Sequence, residues 1–320
     1  MNIIYIDPGM LVRREQYRYY GELYNELTRV SNCCLYTSAV SSIDKIIKFS
    51  GFKPDAIIFG VGTFSGFKDL KMGFGEVPGL KDINIPKLFW LHNPHNGLSK
   101  KLKFCKVNNI SMILTPVPDY KTFEKQTGIS TQLFSYAADP AMFYNRGLEK
   151  VYDIGFSGAL HGSKVISNRK FSSIDIRERI QVLLAEQKDL SCFLKGSDFI
   201  GDRIVSYEDY AVKINQSKIW LATTSGDLEV TPRYFEIGMS GSMIFCNTIP
   251  PEYKDVLKDG INCVQFSEDL SDFLDKLYYY LQNDNERQKI VNNAYKYFHE
   301  NHTWKCRAKE ILTIAAFLRV

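Results

Sequence analysis

The sequence predicts an α/β protein made of two doubly wound parallel-sheet domains. Three observations support this class. Short, continuously apolar runs typical of buried strands alternate with segments whose apolar residues recur at helical spacing. Strands of this kind, joined by helices, are what a parallel sheet covered on both faces requires. The alternation then restarts at residues 153–158 (DIGFSG), so a second domain follows the first.

The first half begins with a strand at residues 2–6, which ends at the turn-forming sequence DPG. A helix is predicted next, because apolar residues recur at helical spacing between Tyr17 and Val30. Further strands are predicted at residues 34–36, 56–59, 87–91 and 111–114. A polar stretch near residue 150 separates the halves, so we expect a first domain at 1–150.

The second half carries predicted strands at residues 153–158, 190–194, 219–223, 243–246 and 263–266. Its last fifty residues form three helical stripes. We expect a second domain at residues 151–302 and a terminal helix at 303–320. Two such domains facing each other predict a ligand cleft between them.

Composition and charge exclude several classes of protein. Hydrophobic residues make up 45% of the chain and charged residues 24%, as in soluble globular proteins. The formal charge of +4 is small and dispersed, which argues against nucleic acid and suits an anionic small ligand. No apolar run approaches the ~20 residues of a membrane span, and the start MNIIYIDPG does not resemble a signal peptide. Seven cysteines without a C-x-x-C pair suggest reduced thiols. We therefore expect a cytoplasmic protein with no transmembrane segment, compatible with peripheral membrane association.

Several common motifs are absent from the sequence. It contains no D-x-D pair, which removes the usual metal–diphosphate clamp of metal-dependent sugar transferases, and we predict no metal ligands. The phosphate-loop and nucleophile-elbow motifs are also missing. Gly60, Gly62 and Gly66 follow a predicted strand but are one residue off a dinucleotide fingerprint, so an ordinary turn is favoured there.

His92 and His95 lie at a predicted strand end, in WLHNPH. Their spacing could suggest a metal, but Pro94 prevents a regular helix and no further ligand is near in sequence. A histidine at the carboxyl end of a parallel strand favours a substrate contact at His92. A structural hydrogen bond is an equally good interpretation.

The most informative stretch spans residues 218–247. A strand and a loop lead to Thr231 as a helix N-cap and Pro232 as the first helical residue. A helix that begins at the carboxyl edge of a parallel sheet offers free N–H groups to a diphosphate. Arg233 could neutralise a phosphate, and Glu236, one turn later, could accept two hydroxyl groups. A surface Arg–Glu pair explains the same local pattern equally well.

A resemblance decides between these interpretations. Residues 231–241 (TPRYFEIGMSG) resemble the donor-site helix of GT-B glycosyltransferases of family 4, and most of all their short spore-maturation-type group 1 relatives. Residues 152–158 resemble the strand and glycine turn that open the second domain of that family, and residues 136–140 resemble its interdomain approach. Residues 259–304 resemble its C-terminal helices. The resemblance implies a GT-B fold of two Rossmann-like domains, with the last helix packing back on the first.

The resemblance also implies roles for individual residues. Glu236 would hold the ribose of a nucleoside-diphosphate sugar, and Tyr207 would stack on its base, although a core or surface tyrosine is the more common occurrence. Asp7 would lie in the facing loop of the acceptor domain, with a plain turn as the alternative. The diphosphate would be held by Arg233, by the loop amides around Ser225, Gly226 and Tyr234, and by close backbone approach at Ser157, Gly158 and Ala159.

The implied activity is transfer of a sugar from a UDP- or GDP-sugar to a glycan or other hydroxyl acceptor, with no tightly bound cofactor. Retaining members of family 4 carry E-x7-E, whereas Glu229 and Glu236 form E-x6-E. The sugar contact of Glu229, and with it the stereochemistry, is therefore open. Retention is favoured by the resemblance, while inversion would need a base such as Asp7 or His92. A nucleotide-sugar epimerase and a non-catalytic nucleotide-sugar-binding protein are the alternatives.

Overall fold

The computed structural model describes residues 1–10, 18–38, 42–64, 75–94, 97–160, 175–197, 199, 202–204 and 206–319. Three residues used in the sequence analysis, Tyr17, Gly66 and His95, lie outside these ranges.

The first sheet has six parallel strands. They are β1 (Asn2–Ile6), β2 (Asn32–Tyr36), β3 (Ala56–Phe59), β4 (Lys87–Trp90), β5 (Met112–Thr115) and β6 (Thr131–Leu133), in the order β2-β1-β3-β4-β5-β6. The helices among them are α1 (Arg18–Val30), α2 (Ile43–Ser50), α3 (Leu98–Val107) and α4 (Tyr120–Thr127). Every strand predicted in this half is present, and β6 is an addition.

Alternate residues of these strands face two different helical layers, as a strand's two-residue period requires. On one face, strand residues such as Ile57 and Phe89 share a core with Ile46 of α2, Leu102 of α3 and Phe123 of α4. On the other face, Tyr5 packs against Tyr24 of α1, with ring centroids 6.1 Å apart. The helices α2, α3 and α4 therefore form one layer over the sheet.

The second sheet has five parallel strands. They are β7 (Tyr152–Gly158), β8 (Cys192–Gly196), β9 (Ser217–Ala222), β10 (Met243–Asn247) and β11 (Val264–Phe266), in the order β11-β10-β9-β7-β8. The helices that follow in the chain are α5 (Asp175–Ala185), α6 (Tyr207–Asn215), α7 (Pro232–Met239), α8 (Phe273–Gln282), α9 (Asp284–Asn301) and α10 (Trp304–Phe317). The strands predicted in this half are all present.

The chain divides into two compact units, residues 1–135 with 304–320, and residues 136–303. Helix α10 belongs to the first unit, where Trp304 packs against Trp90 of β4 at 5.9 Å between ring centroids and Arg307 donates to Ser135 Oγ over 3.1 Å. The expected packing of the last helix on the first domain is thus confirmed.

The division falls before Tyr136, whereas the sequence analysis places it after residue 150. Polar contacts explain the difference. The Arg146 amide donates to Asn215 Oδ1 over 2.7 Å, and Lys150 Nζ donates to the carbonyl oxygens of Ser217 and Gly241. These bonds hold the segment against the second sheet. None of the helices in the described ranges is long and apolar enough to cross a bilayer.

Candidate functional site

The strand order of the second sheet identifies the place where a ligand would bind. The chain leaves β7 towards β8 on one side and then adds β9, β10 and β11 on the other side. In open parallel sheets, ligands bind outside the carboxyl ends of the strands at such a switch point. Here that region consists of residues 157–159 after β7 and residues 223–225 after β9.

Helix α7 begins beside this edge, as the sequence predicts. Thr231 is the N-cap, with extended backbone angles, and Pro232 is the first helical residue. The Thr231 hydroxyl makes no capping bond, and its Oγ1 is buried without a hydrogen-bond partner among the described residues. The positive end of the helix therefore carries an unused hydroxyl group as well as N–H donors of the first turn.

Tyr234 is fully buried, and its hydroxyl lies 3.4 Å from Asn247 Oδ1. Its amide donates to the Thr231 carbonyl over 3.2 Å. The side chain thus anchors α7 to β10, and the amide that was predicted for the diphosphate already closes the first turn of the helix.

Arg233 reaches from α7 to the end of β7. Its Nη2 donates to the Ser157 carbonyl over 3.0 Å, and its guanidinium lies 5.3 Å from the centroid of the Phe156 ring. A Cβ atom at Gly158 would lie 2.4 Å from Arg233 Nη2. Gly158 is therefore required for this close approach, and two residues predicted for the diphosphate are in direct contact.

Arg177 of α5 is a functional candidate that the sequence analysis missed. It is 7% exposed. It donates to the Thr223 hydroxyl and, over 2.9 Å, to the Ala159 carbonyl, so it joins the ends of β7 and β9. Burial, followed by the nearby charges of Arg233 and Arg203, lowers the pKa of Arg177. Cations this close repel one another, and an anion bound among them would relieve that repulsion.

Glu236 lies one turn after Arg233 and is only 3% exposed. The Tyr207 hydroxyl donates to its Oε1 over 3.1 Å. Burial raises the pKa of Glu236 to about 7, opposed by Arg233 and by hydrogen bonds from Tyr207 and Tyr210. A buried carboxyl group in this state is available to accept hydroxyl groups of a ligand near neutral pH. This geometry differs from that of an exposed Arg–Glu surface pair.

Tyr207, predicted to stack on a base, starts α6 and is held on two sides. Besides its bond to Glu236, its ring meets Phe143 edge to face at 5.4 Å. The tyrosine is thereby placed beside the carboxyl group that was predicted for the ribose.

The loop between β9 and α7 is closed by Ser225 and Glu229. The Ser225 amide donates to the Glu229 carbonyl over 3.1 Å, and the Glu229 amide donates to Ser225 Oγ over 3.1 Å. Leu228 adopts a left-handed backbone (φ 59°) to complete the turn around Gly226 and Asp227. The Glu229 side chain is 5% exposed, with Oε2 3.4 Å from Ser225 Oγ. Glu229 and Ser225 thus form one rigid loop at the sheet edge.

Asp7 lies at the corresponding switch point of the first sheet, between β1 and β3. It is 2% exposed, and its Oδ2 accepts a hydrogen bond from the Gly62 amide over 3.1 Å. A Cβ atom at Gly62 would lie 1.9 Å from Asp7 Oδ1, and one at Gly60 would lie 2.5 Å from Oδ2. These glycines therefore make room for the aspartate.

His92 follows β4 and is half-buried. Lys101 Nζ donates to the His92 and Asn93 carbonyls, over 2.7 and 2.8 Å, and Asn93 is left-handed (φ 48°). Strand β3 separates β4 from β1, so the backbones at His92 and Asp7 are about 10 Å apart.

Among the described residues, no three His, Cys, Asp or Glu side chains are grouped as a metal ion would require. No lone cluster of this kind accompanies His92 in those ranges.

Three comparisons with known proteins bear on this site. The family model described as "Glycosyl transferase-like" matches residues 177–313, which include Arg177, Arg233 and Glu236. No curated protein sequence matches the chain. Among solved structures, sucrose-phosphate synthase from Thermosynechococcus elongatus superposes with a TM-score of 0.63 at 10% identity, covering 99% of both chains.

Two further structures superpose over nearly the whole chain. Anabaena HepE in complex with UDP has a TM-score of 0.57 at 11% identity, over 99% of this chain and 100% of that one. A DNA-modifying β-glucosyltransferase has a TM-score of 0.56 at 11% identity, over 98% and 99%. The chain has the GT-B fold. In this GT-B chain, the part that the family model matches is the part that contains the arginine and glutamate residues described above.

Proposed function

We propose that the chain is a glycosyltransferase that moves a sugar from a nucleoside-diphosphate sugar to a hydroxyl acceptor. The observation that carries this proposal is the pairing on α7 of Arg233, held against the end of β7, with the buried carboxyl group of Glu236 one turn later. A nucleoside diphosphate presents an anionic group and a ribose diol a few ångströms apart, which matches this pair in charge and in spacing.

The diphosphate would lie over residues 157–159, at the first turn of α7. Arg233 and Arg177 reach this edge from two helices, and the buried Thr231 hydroxyl adds a donor. Charge-assisted hydrogen bonds of this kind contribute roughly 1.5–3 kcal/mol each. As the bond to the sugar breaks, the same groups would stabilise the charge that develops on the leaving diphosphate. We infer that this site works without a metal ion.

The ribose would be held by Glu236, positioned by Tyr207. A carboxylate accepts two hydroxyl groups at once, and its burial excludes water from competing for them. The base would then extend from the ribose towards β8. The HepE structures contain UDP or UDP-glucose, which supports a uridine nucleotide as the first candidate.

In the transfer step, the bond between the anomeric carbon and the diphosphate oxygen breaks and a bond to the acceptor oxygen forms. We propose retention, with the acceptor proton passing to the leaving phosphate. Under inversion, Asp7 or His92 of the first unit would take that proton instead. Glu229 would contact the sugar from the rigid loop that it forms with Ser225.

Within GT-B enzymes we place the chain beside family 4 and its short spore-maturation-type relatives, on the motif at residues 231–241. The acceptor is proposed to be a glycan, since one S. aureus TarM structure, with a TM-score of 0.51, contains an aminosugar–glycerol product and UDP. A cytoplasmic location is supported by the odd number of cysteines and the lack of C-x-x-C pairs.

Turnover of the donor tests the proposal. UDP-glucose and GDP-mannose are incubated with the wild-type protein, with and without an oligosaccharide panel, and followed by NMR in EDTA. We expect slow hydrolysis of one donor alone and faster, acceptor-dependent release of its nucleotide, both lost in Glu236→Ala but kept in Glu186→Ala, an exposed glutamate of the same unit. Recovery of an isomerised donor would indicate an epimerase, and binding without turnover would indicate a non-catalytic binding protein.

A further inference from the structure

The helical layer α2–α4 of the first unit carries an unusual surface. Its outward side exposes lysines along all three helices, and we call this set the lysine face. It consists of Lys45 and Lys48 of α2, Lys103 and Lys106 of α3, and Lys121 and Lys125 of α4. The apolar sides of the same helices are buried in one core, so these lysines share one side of the sheet.

The lysine face concentrates charge that the rest of the chain balances. Exposed acids on the three helices are Asp44 and Glu124, and α3, with the sequence LSKKLKFCKV, has none. The six lysines therefore exceed these acids by four charges, as large as the formal excess of the whole chain. No salt bridge joins any of the six to an acid within the described ranges.

An exposed aromatic side chain accompanies the lysines. Phe49 of α2 is 62% exposed, next in sequence to Lys48, and its ring meets Tyr36 edge to face at 5.3 Å. A large apolar side chain surrounded by lysines suits the boundary between lipid headgroups and acyl chains. A duplex of nucleic acid would instead be expected to select arginine for its bidentate phosphate contacts.

We propose that the lysine face docks the first unit on an anionic lipid bilayer. Lysines that lie close to such a surface each add to the attraction, and the attraction falls within a Debye length, so binding should decrease steeply with salt. Phe49 would insert at the interface and add a contribution that salt does not screen. The proposal is independent of the nucleotide site, because every residue of the lysine face lies in the first unit.

Vesicle sedimentation tests this inference with the full-length protein. We expect binding to phosphatidylcholine–phosphatidylglycerol vesicles at low salt, little binding to phosphatidylcholine alone, and release at high salt. Changing Lys45, Lys48, Lys103 and Lys106 together to Gln should weaken binding by more than about tenfold. UDP binding should be unchanged in this variant, which also shows that it is folded.

A matched control removes the same number of charges elsewhere. Lys188, Lys254, Lys289 and Lys296 are exposed lysines of the second unit, and changing them to Gln should leave vesicle binding nearly intact. Equal losses in the two variants would mean that only net charge matters and would overturn the proposal. So would failure of the wild type to bind anionic vesicles, or a DNA oligonucleotide that binds the lysine face at least as tightly as the vesicles do.

Discussion

The Tyr207 hydroxyl donates a hydrogen bond to Glu236 Oε1 over 3.1 Å, joining the first residue of α6 to the middle of α7. Glu236 is otherwise enclosed by the core of the second unit, where a carboxyl group is costly to ionise. The bond favours the charged form and fixes the orientation of the carboxylate. Tyr207 is therefore a positioning residue for the group that we propose holds the ribose.

Removing this hydroxyl should weaken donor binding. In Tyr207→Phe, Glu236 loses one charge-assisted bond, so we expect UDP-glucose affinity at neutral pH to fall roughly tenfold. The pKa of Glu236 should also rise. Calorimetric titration with UDP-glucose measures both effects when it is repeated across pH. Tyr279→Phe, at an exposed tyrosine of α8, is the control. Unchanged affinity and pH dependence in Tyr207→Phe would contradict the positioning role.

Donor binding should strengthen as the pH rises through about 7, where burial places the pKa of Glu236. Below this pH the carboxyl group of the free protein is protonated, and accepting two ribose hydroxyls requires the ionised form. Binding therefore lowers the pKa and releases a proton. UDP-glucose is the ligand of choice, since its diphosphate does not titrate in this range.

Glu236→Gln should bind more weakly and lose this pH dependence. The measurement is the dissociation constant from pH 6 to pH 8, with proton release read from calorimetry in two buffers. If the wild-type affinity does not rise with pH, the carboxylate does not hold the ribose as we propose.

A methyl group at Gly158 should displace Arg233. Because the added Cβ would lie 2.4 Å from Nη2, the guanidinium must move away from the end of β7. We expect Gly158→Ala to reduce UDP affinity at least about tenfold, comparable to Arg233→Ala. Gly75→Ala is a fair comparison, because its Cβ would meet no atom within 4 Å. The two site variants combined should lose little more than either alone, and full additivity would show that they act separately.

The stereochemistry of transfer should distinguish the roles of Asp7 and His92. Under retention, the product keeps the anomeric configuration of the donor, and neither residue supplies an essential base. Asp7→Asn and His92→Gln should then lose less than about a hundredfold in turnover, the lower limit typical of a general base. NMR of the product gives its anomeric configuration. An inverted product together with a larger loss in one variant would assign that residue as the base.

The sequence predicted most of the fold because buried parallel strands carry a strong apolar signal. Strands such as β3 (AIIF) contain four buried residues in succession. Strand β6 (TQL) is short and polar at Gln132, so no apolar run marks it. The start of α7 was also predictable, since Thr231 and Pro232 are local signals.

Arg177 shows why part of the site was not predictable. It lies 56 residues before Arg233, and only the folding of the sheet brings both to the end of β7. A signal was present: an arginine beside Ile176, which with Ile180 and Leu184 forms the buried side of α5, is unusual on the apolar side of a helix. The pairing of Tyr207 with Glu236 likewise depends on tertiary structure, whereas base stacking was proposed from the resemblance alone.

Binding of UDP in the presence of EDTA tests the central claim most directly. Calorimetry compares UDP with GDP, ADP, CDP and dTDP on the wild type, Glu236→Ala and Glu186→Ala. We predict that UDP binds to the wild type and to Glu186→Ala without added metal, and that Glu236→Ala loses most of this affinity. If none of the five diphosphates binds to the wild type, or if Glu236→Ala binds UDP as tightly, the proposed donor site is contradicted.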